Sequence, residues 1–297
     1  MIVSHESGAE IGACLDAAQS TGAEIVVVDN ASGDRTCQEV TRRNVRLIAN
    51  PENRGFAAAV NQGIRALDTP YVLLLNPDAL LATGLAAMIE CCRQSDVAGV
   101  GGKLVDNSGR PQAGFAVRSL PSPSALVFEA LLLNRVWPHN PVNWHYRCLG
   151  FDFAAPSDVE QPAGAFFMIR RDVWEDLHGF DERFFPLWFE DVDFCWRARQ
   201  RGYRICYTPN AVAKHTGGHS VEKISLEKRQ LYWYRSLLVF ACKHYRTSSS
   251  RTVCAAVFLG SIFRMLLRMA ASRSLASIAV YGKVMALAGR TFIRPGV

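Results

Sequence analysis

The chain has 297 residues, 49% of them hydrophobic and 20% charged, a globular mixture that excludes a disordered or fibrous chain and allows one large α/β domain with an appendage or two modest domains. Its nine cysteines are odd in number, scattered and without a C-x-x-C pair, which argues against a disulfide framework or a zinc site and for a reducing compartment. The net charge of +6 is unevenly spread: residues 1–227 carry −6, and the twelve Lys/Arg residues after Glu227 have no acid among them, which suggests an anionic membrane surface or phosphorylated ligand at that end.

Met1-Ile-Val-Ser4 reads as a short opening strand. Ile25-Val-Val-Val28 is a buried strand that ends abruptly in Asp29-Asn30-Ala-Ser-Gly33-Asp34, and Tyr71-Val-Leu-Leu-Leu75 is a second, ending in Asn76-Pro77-Asp78. Val97 to Gly102 is a third. Apolar runs alternating with helical stretches predict βαβ architecture, and open α/β sheets bind ligands at the carboxyl ends of such strands. Residues 106–160 are rich in Pro, Ser and aromatics without a clear period, which predicts long loops and short helices suited to acceptor selection. Strands are expected at Gly164–Ile169 and Arg204–Tyr207, with helices from Arg171 to about Leu177 and from Glu190 to Arg201.

From Glu222 onward the sequence reads as helical. Val253 to Ala271 is strongly apolar but interrupted by Arg264 and Arg268, and a span needs roughly 20 apolar residues. A helix lying in the membrane interface is therefore expected rather than a spanning one, with the two arginines four apart on one face. No basic-then-apolar leader opens the sequence, so the expected location is cytoplasmic, peripheral on the inner face of the membrane.

Taken singly, each polar motif has a structural explanation. Asp29 and Asp34 can cap a turn and a helix, and Asn76-Pro-Asp78 can form a β-turn. Their order and spacing say more. Val26-Val-Val-Asp29-Asn-Ala-Ser-Gly-Asp34, then Asn53-Arg54-Gly55-Phe-Ala57 with Asn61 and Gly63, then Leu73-Leu-Leu-Asn76-Pro-Asp78, resemble in sequence the GT-A, family 2 glycosyltransferases, specifically the bacterial rhamnosyltransferase-like branch. Gly179-Phe-Asp181-Glu182-x-Phe-Phe, Phe189-Glu190-Asp191-Val-Asp193 and His215-Thr-Gly-Gly-His-Ser220 continue the resemblance over roughly residues 1–220.

That resemblance implies a GT-A fold: a Rossmann-like nucleotide-binding mixed sheet flanked by helices. Residues 1–105 would form a nucleotide-binding half and 106–220 an acceptor-binding half. Residues 221–297 would be a basic, apolar helical extension at the membrane surface. The family usually has several more residues before the Ser4-His5 position.

The implied activity is inverting transfer of a sugar from a dTDP- or UDP-sugar, rhamnose from dTDP-rhamnose first, to a saccharide or polyprenyl-linked saccharide, with no nucleic-acid partner. The leaving diphosphate calls for a hard divalent cation, Mn²⁺ or Mg²⁺, on few protein ligands, and Asp78 and His215 are the implied pair. Asn76 stands where the first Asp of a D-x-D motif would be and brings no charge, so modest metal affinity is expected.

An in-line displacement needs one base for the acceptor hydroxyl proton, and Asp191 occupies that position. Asp29, Asn30, Asp34, Asn53, Arg54, Gly55, Asn61 and Asn76 are the expected nucleotide-sugar residues. Asp29 would accept from a pyrimidine ring N–H and Arg54 would meet the diphosphate. Asp181, Trp188 and Glu190 are expected at the acceptor, with Asp193 structural.

Rival readings fare less well. A sugar nucleotidyltransferase would show a Gly-rich, Arg-containing loop after the first strand, where Ser4-His-Glu-Ser-Gly8 stands instead. A processive synthase would show Q-x-x-R-W, and Gln230-Leu-Tyr-Trp-Tyr-Arg235 lacks that spacing. An inactive scaffold of the same fold, or a UDP-hexose or galactofuranose transferase, are the alternatives within the fold.

Overall fold

A computed structural model of the protein describes residues 1–217, 224–272 and 276–294. Two compact units emerge: one of Met1–Leu120, Arg147–Pro186 and Glu190–Lys223, the other of Pro121–Tyr146, Leu187–Phe189 and Ile224–Val297.

The first unit opens with β1 (Ile2–Ser4), α1 (Ile11–Gln19), β2 (Val26–Asn30), α2 (Thr36–Arg42), β3 (Arg46–Asn50) and α3 (Phe56–Arg65). These build a parallel three-stranded sheet of order β1-β2-β3. All five residues of β2 are buried, as expected of a strand covered on both faces. The chain continues through β4 (Tyr71–Leu75), β5 (Ala79–Thr83), α4 (Leu85–Cys92), β6 (Val97–Val105) and β7 (Val117–Arg118). After the excursion into the second unit come β8 (Ser157–Val159), β9 (Gln161–Pro162), β10 (Phe166–Arg170), α8 (Arg171–Asp176), α9 (Glu190–Gln200) and β11 (Arg204–His215).

The main sheet runs β4-β10-β6-β11-β5, with β8 on the edge of β11. It is mixed: β11 is parallel to β6 and antiparallel to β5, and β10 is antiparallel to both β4 and β6. Met1 joins the two sheets, its amino group donating to Leu73 O at 3.0 Å and its carbonyl accepting from Leu75 N at 3.1 Å. Glycines of β6 leave room across the sheet. A Cβ on Gly102 would stand 2.1 Å from Phe166 Cε1, and one on Gly99 would stand 2.7 Å from Phe167 Cε2. The aromatic residues of β10 therefore fill the core where β6 has no side chains.

β11 runs eight residues past the expected end at Tyr207. Thr208-Pro209-Asn210 reads as a turn, yet a register shift between Thr208 and Val212 absorbs the proline inside the strand. That extension carries His215 to the end of the sheet.

The second unit is helical: α5 (Pro123–Ala130), α6 (Leu133–Val136), α7 (Pro141–Tyr146), α10 (Leu226–His244), α11 (Thr247–Ser272) and α12 (Ala276–Ile293). The expected loop region 106–160 is thus split, its middle part, Pro121–Tyr146, packing with the C-terminal helices. The hinge between expectation and structure is Arg264. Its guanidinium donates to the carbonyls of Ala130 and Glu129 at the end of α5, satisfying acceptors that a helix C-terminus leaves open. The expectation that Arg264 and Arg268 form one charged face is corrected for Arg264, which is spent inside the protein. The helix also runs unbroken through both arginines, and Thr247–Ala270 is long and apolar enough to cross a membrane by length and composition, with a mean hydropathy of 1.7.

Candidate active site

The chemistry-bearing residues of the first unit gather where β4, β10 and β11 end. Antiparallel pairing sets His215 opposite Ala79, which brings its ring beside Asp78. His215 Nε2 lies 3.4 Å from Asp78 Oδ1, and both side chains are almost fully buried. Gln112 grips the histidine twice: its Nε2 donates to the His215 carbonyl at 2.8 Å, and its Oε1 meets Nδ1 at 3.0 Å.

That double contact fixes the roles of the atoms. A carbonyl can only accept, so the Gln112 amide nitrogen faces it and the amide oxygen faces Nδ1, which must carry a hydrogen. In the neutral ring the lone pair of Nε2 then points at a carboxylate oxygen. Nε2 is buried with no hydrogen-bond partner. Two electron-rich atoms so placed are reconciled by a proton on Nε2 or by a cation between them.

The pair fits a divalent ion. Two ligands at right angles on a cation with bonds of about 2.1 Å stand about 3 Å apart. Among the described residues no group of three or more His, Cys, Asp or Glu side chains could hold a metal. A divalent ion held by Asp78 and His215 would have two protein ligands from the described residues, as suits Mg²⁺ or Mn²⁺ carried largely on substrate phosphates.

A second cluster surrounds Asp191, at the N-terminus of α9. Asp191 Oδ2 accepts from Gly164 N and from Gln161 Nε2, each at 3.0 Å, and Oδ1 accepts from Val192 N at 2.8 Å. A Cβ on Gly164 would stand 3.3 Å from Oδ2, so the small residue lets the backbone come close. Burial pushes the Asp191 carboxyl above its ordinary value, opposed by the N–H groups of Gly164 and Val192 and by the Arg118 charge. The result is a carboxylate that is more basic than usual and held in one orientation.

Residues 112–118 connect the two clusters. Phe115 stacks on the His215 ring, with centroids 5.3 Å apart and planes at 10°. The Arg118 guanidinium lies 6.0 Å from the Phe115 centroid, and β7–β9 pairing sets Arg118 opposite Gln161. The sheet adds a second link: β4 pairs with β10, and Asn76 N donates to Ala165 O at 3.0 Å. Asn76–Asp78 thus lies beside Gly164, which touches Asp191. The sequence reading placed Gln112, Phe115 and Arg118 only within the loop region 106–160 and did not single out Gln161.

Glu190 is 7% exposed and its Oε2 has no partner. Burial raises its pKa well above the ordinary glutamate value, and the neighbouring Asp191 and Asp193 charges raise it further. Asp193 is fully buried, pairs with Arg197 at 2.7 Å, and through it ties α9 to the carbonyls of Leu177 and Gly179. Asp181 is held in a forked pair with Arg183. Trp188 belongs to the second unit, where its ring packs edge-on against Trp233.

The expected nucleotide residues are mostly organisers of loops. Asp29 is 1% exposed and accepts from the hydroxyls of Ser4 and Ser32 and from Ser32 N. Asp34 ties Gly8 N to the start of α2 at Thr36. Asn30 bridges the Gly55 carbonyl and Asn50. Asn53 turns the backbone by accepting from Gly55 N. Gly55 sits at φ 83°, and a Cβ there would stand 2.9 Å from Phe185, so the backbone requires glycine.

Asn61 differs from expectation: it fills all four hydrogen-bonding positions within the protein, with Trp174 Nε1, Phe180 N, Phe180 O and Glu182. It braces α3 against the 174–182 segment and has no atom left for a nucleotide. Arg54 is exposed and makes no hydrogen bond or ion pair among the described residues. Of the closing motif, Gly218, His219 and Ser220 lie outside the described residues.

A family model described as "Glycosyltransferase like family 2" matches residues 1–236. The chain belongs to that family. This glycosyltransferase is 31% identical over 227 residues to N-acetylglucosaminyl-diphospho-decaprenol L-rhamnosyltransferase of Mycobacterium tuberculosis (strain ATCC 25618 / H37Rv), an alignment covering 70% of this chain and 71% of that one. It is 26% identical over 170 residues to rhamnosyltransferase WbbL of Escherichia coli (strain K12), covering 56% and 60%. Its fold is that of mannosyltransferase PcManGT from Pyrobaculum calidifontis, solved with GDP-Man and Mn²⁺, at a TM-score of 0.54 and 17% identity, over 100% of this chain and 86% of the other. The GT-A expectation holds, as does the rhamnosyltransferase-like resemblance.

Proposed function

We propose that this transferase moves a sugar, rhamnose from dTDP-rhamnose before any other, onto a saccharide carried on a polyprenyl diphosphate, with inversion at the anomeric carbon. The setting would be cell-envelope polysaccharide synthesis on the cytoplasmic face of the membrane, with the C-terminal helices at the lipid surface. One observation carries the reading: a basic, oriented Asp191 shares a sheet end with a buried His215–Asp78 pair whose facing atoms a cation would reconcile. The relatives named as rhamnosyltransferases, one acting on a diphospho-decaprenol acceptor, support the choice of sugar and carrier.

The chain's residues divide the work. Gln161 and the Gly164 amide hold one oxygen of Asp191, while the other has an acceptor direction open to take the hydroxyl proton as the new bond forms. Asp78 and His215 would hold Mn²⁺ or Mg²⁺, which when bound stabilises charge on the departing diphosphate. Arg54, exposed at its loop, would pair with the diphosphate, and the loops held by Asp29, Asn30, Asp34 and Asn53 would surround the nucleotide. Glu190, buried and with its pKa raised, would donate its proton in a hydrogen bond to an acceptor oxygen when protonated.

A donor screen tests this reading. dTDP- and UDP-sugars would be incubated with Mn²⁺ and a polyprenyl-diphosphate-linked N-acetylglucosamine, and products read by mass spectrometry. dTDP-rhamnose should be consumed fastest. No metal-dependent turnover of any pyrimidine donor would contradict the assignment.

A further inference from the structure

The second unit is unlike the first in both charge and surface. Pro121–Tyr146, Leu187–Phe189 and Ile224–Val297 contain thirteen Lys/Arg residues against two acids, Glu129 and Glu227. Both acids are engaged: Glu129 accepts from Asn134 and Glu227 from Lys283. Twelve of the fourteen exposed large hydrophobic residues among the described residues also lie there, all but Phe115 and Phe185.

These side chains are not scattered. On α11, Phe258, Leu259, Phe263, Leu266 and Leu267 recur at helical spacing and are 40–62% exposed. The opposite face, including Val253, Val257 and Ser261, is buried. Arg264 anchors this helix to the end of α5, three residues before α6 begins.

From there the segment 133–144 presents Val136 at 84%, Trp137 at 61% and Trp144 at 48% exposure. Its backbone is pinned by asparagines. Asn140, fully buried, donates to Trp137 O and to Asn134, and buried Asn143 donates to Pro138 O. Exposed tryptophans on a hydrogen-bonded scaffold are a fixed feature of the surface, not the tip of a wandering loop.

We infer that α11 and the 133–144 segment together form one membrane-docking surface for anionic lipid, with Trp137 and Trp144 seated at the headgroup level. This deepens the proposed function and rests on it for the lipid-linked acceptor. The occupant follows from charge. A helix with one face in its own bundle and the other apolar from Ala255 to Leu267, flanked by exposed Arg251 and Arg268, lies in the interface plane, tryptophans favour that interface, and an excess of cations selects an anionic leaflet. A second copy would bring the same excess of positive charge against itself.

The test is co-flotation of the full chain with phosphatidylcholine vesicles, with and without phosphatidylglycerol. Binding should require phosphatidylglycerol. It should fall at least about ten-fold in Trp137→Ser/Trp144→Ser and again in Phe263→Ser/Leu267→Ser, whose changes lie at exposed positions. Brominated lipids should quench the wild-type tryptophan fluorescence more than that of the tryptophan double variant. Unchanged binding in both variants would overturn the inference. So would a dimer in sedimentation that the same substitutions dissociate. The proposed function fails separately, if the chain binds vesicles normally yet moves no sugar to the polyprenyl-linked acceptor.

Discussion

Gln112 holds both the carbonyl and the Nδ1 of His215, so it sets which nitrogen faces Asp78. Outer-shell partners of this kind typically change metal affinity ten- to a hundred-fold. Gln112→Leu is therefore expected to weaken Mn²⁺ binding in the presence of dTDP by that factor, read by electron paramagnetic resonance, while circular dichroism stays native. An unchanged affinity would mean that Phe115 stacking alone orients the ring.

Glu190 gives a second expectation with a definite sign. Its folded pKa is raised, so the buried neutral acid is fully compatible with folding below the ordinary glutamate value of 4.5, and stability is lost as pH rises toward the folded pKa. Glu190→Gln removes that loss. The variant should melt higher than wild type at neutral and mildly alkaline pH, with the difference shrinking toward pH 4. Parallel melting curves across pH would contradict the buried-acid assignment.

Asp78 and Asp191 were marked in the sequence by standing at a strand end and a helix start, and His215 only by its place in the family's order of motifs. Gln112 was not. Its contact with His215 spans 103 residues and has no local signature. Asn61 looked like a ligand-binding asparagine for the same reason, since only the fold reveals that its amide is already filled.

At the scale of elements, β1, β2, β4, β6, β10 and β11 were legible from apolar runs, whereas β3, β5, β7, β8 and β9 carried no such run, and the misjudged boundaries have specific causes. β11 was cut short by Pro209, which the structure tolerates at a register shift. Short helices were expected within 106–160 but frequent proline hid their positions, although Ser122 caps α5 by accepting from Ala125 N with Pro123 in the first turn. The joining of this segment to the C-terminal helices depends on close approach that no local pattern shows. A Cβ on Gly260 of α11 would stand 1.9 Å from Ala130 O. Gly260→Ala would gain about 1 kcal/mol in helix propensity, but a backbone oxygen cannot yield as a side chain would. Overpacking of about 1–3 kcal/mol, together with loss of the Arg264 cap, should win. A lower melting temperature is expected, and a stabilised variant would show that α5 and α11 do not meet at this point.

At the scale of the whole molecule, composition already separated an acidic body from a basic end, and the structure moves that boundary by assigning 121–146 and 187–189 to the basic unit. The acidic unit carries the loops that follow β2, β3 and β4, the His215–Asp78 pair and Asp191, and the chain belongs to a glycosyltransferase family. The central claim is that Asp191 is the base for this transfer. It is tested most directly by the rate of metal-dependent transfer from dTDP-rhamnose to the polyprenyl-linked acceptor in wild type and Asp191→Asn. The amide keeps the shape and the bond from Val192 N but cannot take a proton. A fall of about 10²–10⁴-fold in kcat with native folding is predicted, and a rate within a few-fold of wild type would contradict the account.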